Sequence, residues 1–248
     1  MATSTVYAEQ QKKHVRARSD TFLPVIKWPG ILAQHPETLR NDRPFMLEAV
    51  KTNSLALGYG PSKWRSDRAL VLAAVKRNGQ ALMFVSKELQ NDVEIVLTAV
   101  KQDGLALMYA SSKRQADYGI VFASVQQNGR ALKYAAAELR ANREIVMAAI
   151  ARQGSPLAYA SEAFQADWDV VMAAVRANGV ALCYASTALK ADRDVVLTAV
   201  HQNGKALRYA SETLRADREI VRIAVRQAPD SILLVSQDLL RDLVLAEN

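Results

Sequence analysis

A chain of 248 residues, half of them apolar and 23% charged, has an ordinary globular composition and enough length to bury a sizeable core. Its single cysteine, Cys183, excludes an intrachain disulfide and points to a reducing, intracellular setting; no apolar run approaches the roughly 18 residues of a membrane-spanning helix. The net charge of +7 admits nucleic acid, an anionic lipid surface or an acidic protein as partner without specifying one.

In chain order the first segment is residues 1–40. It carries six Lys/Arg against three Asp/Glu, which leaves 26 against 22 in the other 208 residues. It lacks the apolar core of a secretory signal, and the basic stretch Gln10 to Arg18 is flanked by Glu9 and Asp20. The run Phe22 to Pro36, FLPVIKWPGILAQHP, is apolar and proline-rich and is predicted to be extended or irregular. Two readings stand for residues 1–40: a cap folded over the rest of the chain, or an arm that reaches onto a partner. On the second reading Phe22 and Trp28 are contact residues.

From Asp42 onward the chain repeats every 25 residues without a slip. An Asp or Asn heads each row, at 42, 67, 92, 117, 142, 167, 192, 217 and 242. The heading Asp fits a helix N-cap. An acid two residues later, as at Glu94, Glu144, Asp169, Asp194 and Glu219, suits the positive end of the helix dipole. Apolar residues at helical spacing follow, for example Ile95, Val96, Ala99 and Val100, and predict a first helix of about ten residues. A polar-Gly pair such as Asn78-Gly79 or Asn178-Gly179 is then expected to stop the helix, with glycine at positive φ.

The second half of each row holds a leucine (Leu82, Leu107, Leu132, Leu157, Leu182, Leu207) and, two residues on, an aromatic: Tyr59, Phe84, Tyr109, Tyr134, Tyr159, Tyr184 and Tyr209. A serine and a further apolar residue predict a second helix, short or partly 3-10. Neither half buries its stripe alone, so stacked rows must share one core. The expected fold is all-α: an α-solenoid of about eight two-helix repeats over residues 41–248, with residues 1–40 as a non-repeat segment. Row eight, with Ala228-Pro229 and the apolar run Ile232 to Val235, reads as a C-terminal cap completed by Asp242 to Asn248.

The heading Asp, the Ile-Val/Ala-Val stripe, the Asn-Gly pair and the Leu-x-Tyr-Ala-Ser segment resemble a family catalogued as a domain of unknown function. That family is built of paired copies of D-x-E-I-V-x-x-A-V-x-x-N-G-x-A-L-x-Y-A-S-x-x-L. The likeness runs from Asp42 to about Arg241 and implies an all-helical repeat; it implies no chemistry. More distantly the rows are similar to leucine-rich repeat variants, which alternate an α-helix with a 3-10 segment. Rows one, three and five depart from the pattern, at Ser54, Gly60-Pro61 and Trp64, at Arg114, and at Pro156.

No catalytic or cofactor motif appears, and His14, His35, His201 and Cys183 lie far apart in sequence, without the spacing of a metal site. The tyrosine column reads as a core ladder, with an exposed base-stacking face as the rival. Two basic columns, Lys51, Lys76, Lys101, Arg176, Arg226 and Arg43, Arg68, Arg143, Arg193, Arg218, read as solvated faces, with a phosphate-tracking surface as the rival. In the second column Val93, Tyr118 and Trp168 replace arginine, and Met83, Met108 and Cys183 share another variable column with Lys133 and Arg208; a contact patch or packing between rows accounts for either. The sequence therefore points to a non-catalytic scaffold or protein–protein interaction module, an accessory subunit of a larger assembly, needing no cofactor. A nucleic-acid-binding solenoid is the alternative. Partner contacts are expected at residues that do not recur: Phe22, Trp28, Trp64, Arg114, Tyr118 and Trp168.

Overall fold

A computed structural model describes residues 29–152 and 155–234. Among these every regular element is helical, so the fold is the all-α, solenoid-like stack of 25-residue rows that the sequence predicts. The chain divides into two compact units, residues 1–111 and 112–248. Each is a stack of rows and is treated by itself.

The predicted first helix is ten residues long in every row: Arg43–Thr52, Arg68–Arg77 and Val93–Gln102 in the first unit, and Tyr118–Gln127, Arg143–Arg152, Trp168–Ala177, Arg193–Gln202 and Arg218–Gln227 in the second. The heading residue caps each as expected. Asp92 accepts the Ile95 N–H at 3.0 Å and Asn142 the Ile145 N–H at 3.1 Å, satisfying an N–H that the helix itself leaves open. Ile95, Val96, Ala99 and Val100 are fully buried, as are their counterparts Ile145, Val146 and Ala149. The predicted second helix resolves into two elements. A 3-10 helix comes first, such as Gly79–Phe84 or Gly179–Tyr184, and a single turn of α-helix follows, such as Thr187–Lys190 or Glu212–Arg215. Row one lacks the glycine and winds differently, with an α turn at Ala56–Tyr59 and a 3-10 helix at Ser62–Ser66.

The polar-Gly pair does a different job from the one expected. No glycine among the described residues has positive φ. Asn78 sits in extended conformation (φ −150°, ψ 112°), and its side-chain oxygen accepts the Gln80 N–H at 2.9 Å. The polar residue thus begins the 3-10 helix. Glycine is required for room: a Cβ on Gly79 would overlap the carbonyl of Ala99 in the next row, and Gly129, Gly179 and Gly204 stand in the same relation to Ala149, Ala199 and Ala224. Two small residues let backbone meet backbone between rows.

Three further ties join successive rows. One backbone bond recurs each time, Ser86 N–H to Arg65 O at 2.9 Å in the first unit and Ser211 N–H to Lys190 O at 2.8 Å in the second. A glutamine at the end of the next first helix accepts the glycine N–H: Gln202 from Gly179 at 2.6 Å, Gln227 from Gly204 at 2.7 Å. The arginine column is a ladder of ion pairs. Arg43 pairs with Asp67 at 2.7 Å, Arg68 with Asp92 at 2.6 Å and with Glu94, Arg143 with Asp167 at 2.7 Å and Asp169 at 3.4 Å, and Arg193 with Asp217 at 3.6 Å and with Glu219. The acids that partly neutralise this column come from the following row. The arginines are half exposed, so each pair is individually weak; their shared value is register.

The start of the repeat frame lies earlier than residue 41. Pro29–Gln34 is a 3-10 helix and Glu37–Arg40 a single α turn, in the order of a row's second half. Glu37-Thr38-Leu39-Arg40 has the same sequence as Glu212-Thr213-Leu214-Arg215, 175 residues later, a whole number of rows. Proline in place of the glycine and His35-Pro36 in place of Ala-Ser hid this half row. It covers row one: Leu32 is fully buried, and His35 meets Phe45 edge-on at 6.2 Å. The rest of the N-terminal segment, with Phe22 and Trp28, and the terminal stretch from 235 to 248 lie outside the described residues.

Gly179→Ala is expected to lower stability by about 1–3 kcal/mol, because the Ala199 carbonyl has nowhere to go. Gly119→Ala, where the nearest atom is Asp117 Oδ1 at 3.6 Å, is expected to raise stability by about 0.4–1 kcal/mol; urea unfolding followed by circular dichroism compares the two. The ladder also predicts acid sensitivity. The hydrogen bond from Arg43 holds the Asp67 carboxyl below its ordinary range, and the Val170 N–H, with Arg143, does the same for Asp167. A carboxyl lowered in the folded state stabilises fully above its unfolded pKa of about 4, and the gain is lost as pH falls through the folded value. Arg143→Gln should therefore lose less stability than the parent between about pH 5 and pH 2; parallel melts at the two pH values that show equal losses would contradict the ladder.

Candidate functional site

The aromatic column is not the core ladder that the sequence predicts. A 3-10 helix has three residues per turn, so Gly79, Leu82 and Val85 share one face, and all three are buried. Phe84 falls off that face. Its ring lies over Gly58 of the preceding row, where a Cβ would collide with it. Its counterparts behave alike: Tyr109 in the first unit and Tyr134, Tyr159 and Tyr209 in the second are half-buried, while Tyr59 and Tyr184 are exposed, Tyr184 at 42%. Each unit therefore carries its own surface ladder of aromatic rings, one per row.

The residue just before each ring flanks the ladder. In the first unit these are Met83, 47% exposed, and Met108, also exposed. In the second they include Lys133, whose ammonium stands 5.8 Å from the Tyr134 ring centre, Cys183, and Arg208, 5.6 Å from the Tyr209 ring. Burial pushes the Cys183 thiol up, away from the reactive thiolate. The Tyr184 hydroxyl is pushed up chiefly by Cys183 and by burial, with smaller contributions from the phenols of Tyr159 and Tyr209, its neighbours along the ladder. These groups stay neutral at neutral pH and offer an amphipathic surface, apolar at the ring and hydrogen-bonding at the edge.

Two residues singled out from the sequence are structural. Trp64 is 7% exposed, and its indole N–H donates to the Arg40 carbonyl at 2.8 Å; it fastens the N-terminal half row to row one. Arg114 occupies the place of the usual leucine with its side chain 11% exposed and bonds to Asp117 at 2.9 Å, reinforcing the cap of its own row's successor. Both stood out by departing from the repeat, and local packing accounts for both departures. Tyr118 and Trp168 do face solvent, Trp168 at 43%, as does Val93 in the first unit. Tyr118 stacks on Phe122 with ring centres 5.8 Å apart, and its hydroxyl bonds to Glu144, which raises its pKa. Tyr118 thereby reaches from one row to the next in place of the arginine. Row five, headed by Asn142 with Arg143 in that column, separates Tyr118 from Trp168 in sequence. Phe22 and Trp28 lie outside the described residues.

Lys51, Lys76, Lys101, Arg176 and Arg226 are exposed at the ends of the first helices. Among the described residues no group of three His, Cys, Asp or Glu side chains is placed to hold a metal ion, and no helix is long and apolar enough to cross a membrane.

Comparison with known proteins gives one finding. No curated protein and no solved structure matches the chain. A family model described as "Domain of unknown function (DUF4116)" matches residues 67–115, 92–140, 117–165, 142–190 and 192–240. Each match spans two successive rows and most begin one row after the last, so the model's unit is the row pair. These matches cover well over half of the sequence, and the chain belongs to the DUF4116 repeat family.

Proposed function

We propose that this protein is a non-catalytic interaction module, an accessory or scaffold subunit that holds a protein partner on its aromatic ladder. The observation that carries this reading is the exposure of rings that the core does not use. A half-exposed Tyr or Phe recurs in every row from Tyr59 to Tyr209, beside exposed Met83 and Met108. Aromatic and Met side chains are enriched where proteins meet, because they offer large contact area at low entropy cost. The fate of the arginines supports the same reading. Arg43, Arg68, Arg143 and Arg193 are engaged by carboxylates of the next row, which leaves them poorly placed to neutralise phosphates.

A second reading, a nucleic-acid-binding solenoid, draws on the exposed cations at the first-helix ends and on Lys133 and Arg208 beside their tyrosines. The two readings separate in one experiment. A photo-crosslinking benzoylphenylalanine is installed at Tyr159 or Tyr184 in the native host, with Thr213 as a control position. The expected outcome is one discrete protein adduct at the ladder positions and none at the control. The double variant Tyr159→Ser, Tyr184→Ser should reduce recovery of that partner about ten-fold or more while shifting stability by no more than about 1 kcal/mol. Adducts to RNA or DNA, or oligonucleotide affinity that falls steeply with salt, would replace this reading with the second.

A further inference from the structure

In the first unit a cleft of about 540 Å³ opens beside the ladder, between the second half of row one and that of row two. Three cations line it, Lys63, Arg65 and Lys87, together with serine hydroxyls such as Ser62 and the ladder residues Met83 and Phe84. No carboxylate is among the lining residues. Glu88, next in sequence to Lys87, is not a lining residue; its carboxyl is held low by its own backbone N–H and by the hydroxyl of Ser86 at the edge of the cleft. None of the three cations has an ion-pair partner among the described residues, in contrast to the arginines of the ladder between rows. Lys63 rests over the Trp64 ring at 4.5 Å, and Lys87 donates to Gln90 at 3.1 Å. Arg65 is half-buried. One of its terminal nitrogens donates to the Gly58 carbonyl at 3.1 Å, and its Nε is buried with no hydrogen-bond partner, as are those of Arg140 and Arg215 in the same column; what sets Arg65 apart is the pair of lysines beside it. A half-buried guanidinium without a counter-charge is an unsettled arrangement.

The concentration of charge belongs to this place. At the corresponding positions of later rows at least two of the three cations are replaced by acidic or uncharged residues: by Glu138 and Glu162 on either side of Arg140, for instance, or by Ala163, Gln165 and Thr187. The structural job of Arg65 does not need its charge either. In other rows a glutamine in its place donates to a carbonyl of its own row's 3-10 helix, Gln90 to Leu82 at 3.1 Å and Gln165 to Leu157 at 3.3 Å. The positive charge at Arg65 is thus surplus to the fold.

We propose that this cleft anchors an oxyanion, the carboxylate or phosphate of an acidic and partly apolar segment of a partner protein. Lys63, Arg65 and Lys87 would bind the anion, and Met83 and Phe84 the neighbouring apolar side chain. The inference rests on the ladder being a protein-binding surface. A protein segment fits better than a nucleic-acid strand because the charge is confined to one point: the ladder residues of this unit, Tyr59, Met83, Phe84, Met108 and Tyr109, carry none, whereas a strand presents a phosphate at every nucleotide. The volume suits a side chain or two, at the lower-middle of the range for ligand sites.

The test uses the full chain and fluorescence anisotropy. Three short labelled peptides share alternating Phe and Leu, with the intervening positions all Glu, all phosphoserine or all Gln; a short oligouridylate is the fourth probe. The Glu or the phosphoserine peptide should bind, and whichever binds more tightly identifies the source of the oxyanion. The Gln peptide should bind at least about ten-fold more weakly, and Arg65→Gln with Lys87→Gln should weaken the acidic peptide by a similar factor. Lys101→Gln, an exposed cation outside the cleft, should leave binding unchanged, and all variants should melt like the parent. Equal binding of the Gln peptide, an equal loss in Lys101→Gln, or no binding of either acidic peptide would overturn the proposal. So would tighter binding of oligouridylate that is lost with Arg65→Gln. Failure here with protein adducts still forming at Tyr159 and Tyr184 removes the cleft and leaves the ladder reading in place.

Discussion

The structure depends on one close approach. In four rows the glycine that opens the 3-10 helix lies against the backbone carbonyl of an alanine in the next row's first helix, at Gly79 and Ala99, Gly129 and Ala149, Gly179 and Ala199, and Gly204 and Ala224. Interiors are packed closely enough that even one methyl group there would force the two rows apart. With that spacing held, Leu82, Leu132 and Leu182 are completely buried. The remaining ties then fall into register: the serine N–H to the preceding row, the glutamine on the glycine N–H, and the arginine between two acids. Each is individually weak in water, and together they leave a shifted row with several unmatched groups.

The same constraint creates the surface. Because the segment after the glycine winds with three residues per turn, leucine and tyrosine two residues apart cannot both point inward. Leucine takes the core and the ring is left at the boundary, half-buried or exposed, as Phe84 is over Gly58 of the preceding row. A regular ladder of amphipathic rings is therefore a by-product of packing that evolution is free to use. The flanking residue is free to vary, and it does so from Gly58 through Met83, Met108 and Lys133 to Cys183 and Arg208. In this chain the variation puts apolar groups in the first unit and adds cations to the second.

Departures from the repeat divide into two kinds. Trp64 and Arg114 are departures that local packing absorbs, through the Arg40 carbonyl and the Asp117 carboxylate. Lys63 and Lys87 are departures that join Arg65, whose column also holds Arg40, Arg140 and Arg215, in a grouping that no other row repeats and that no ion pair among the described residues neutralises. In a repeat protein the recurring residues hold the stack together, so an unneutralised, non-recurring group is the more informative sign of a partner.

The period, the all-helical class, the ten-residue first helix, its Asp cap and its buried stripe were all legible in the sequence, because each is set by contacts within a few residues: a carboxylate reaching an N–H three positions on, or apolar groups at helical spacing. The amino acids alone left open the matters decided between rows. The reason for the glycine is a carbonyl twenty residues away, at Ala99 for Gly79. The partners of Arg143 are the acids of the next row, twenty-four and twenty-six residues on. The half row at residues 29–40 is disguised by proline and shows itself by where Leu32 is buried. Above all, whether Tyr159 and Tyr184 lie in the core or at the surface depends on the helical winding of their segment and on which backbone it rests against. Local sequence determined the folding unit, and the stacking of units determined which side chains remained free to bind.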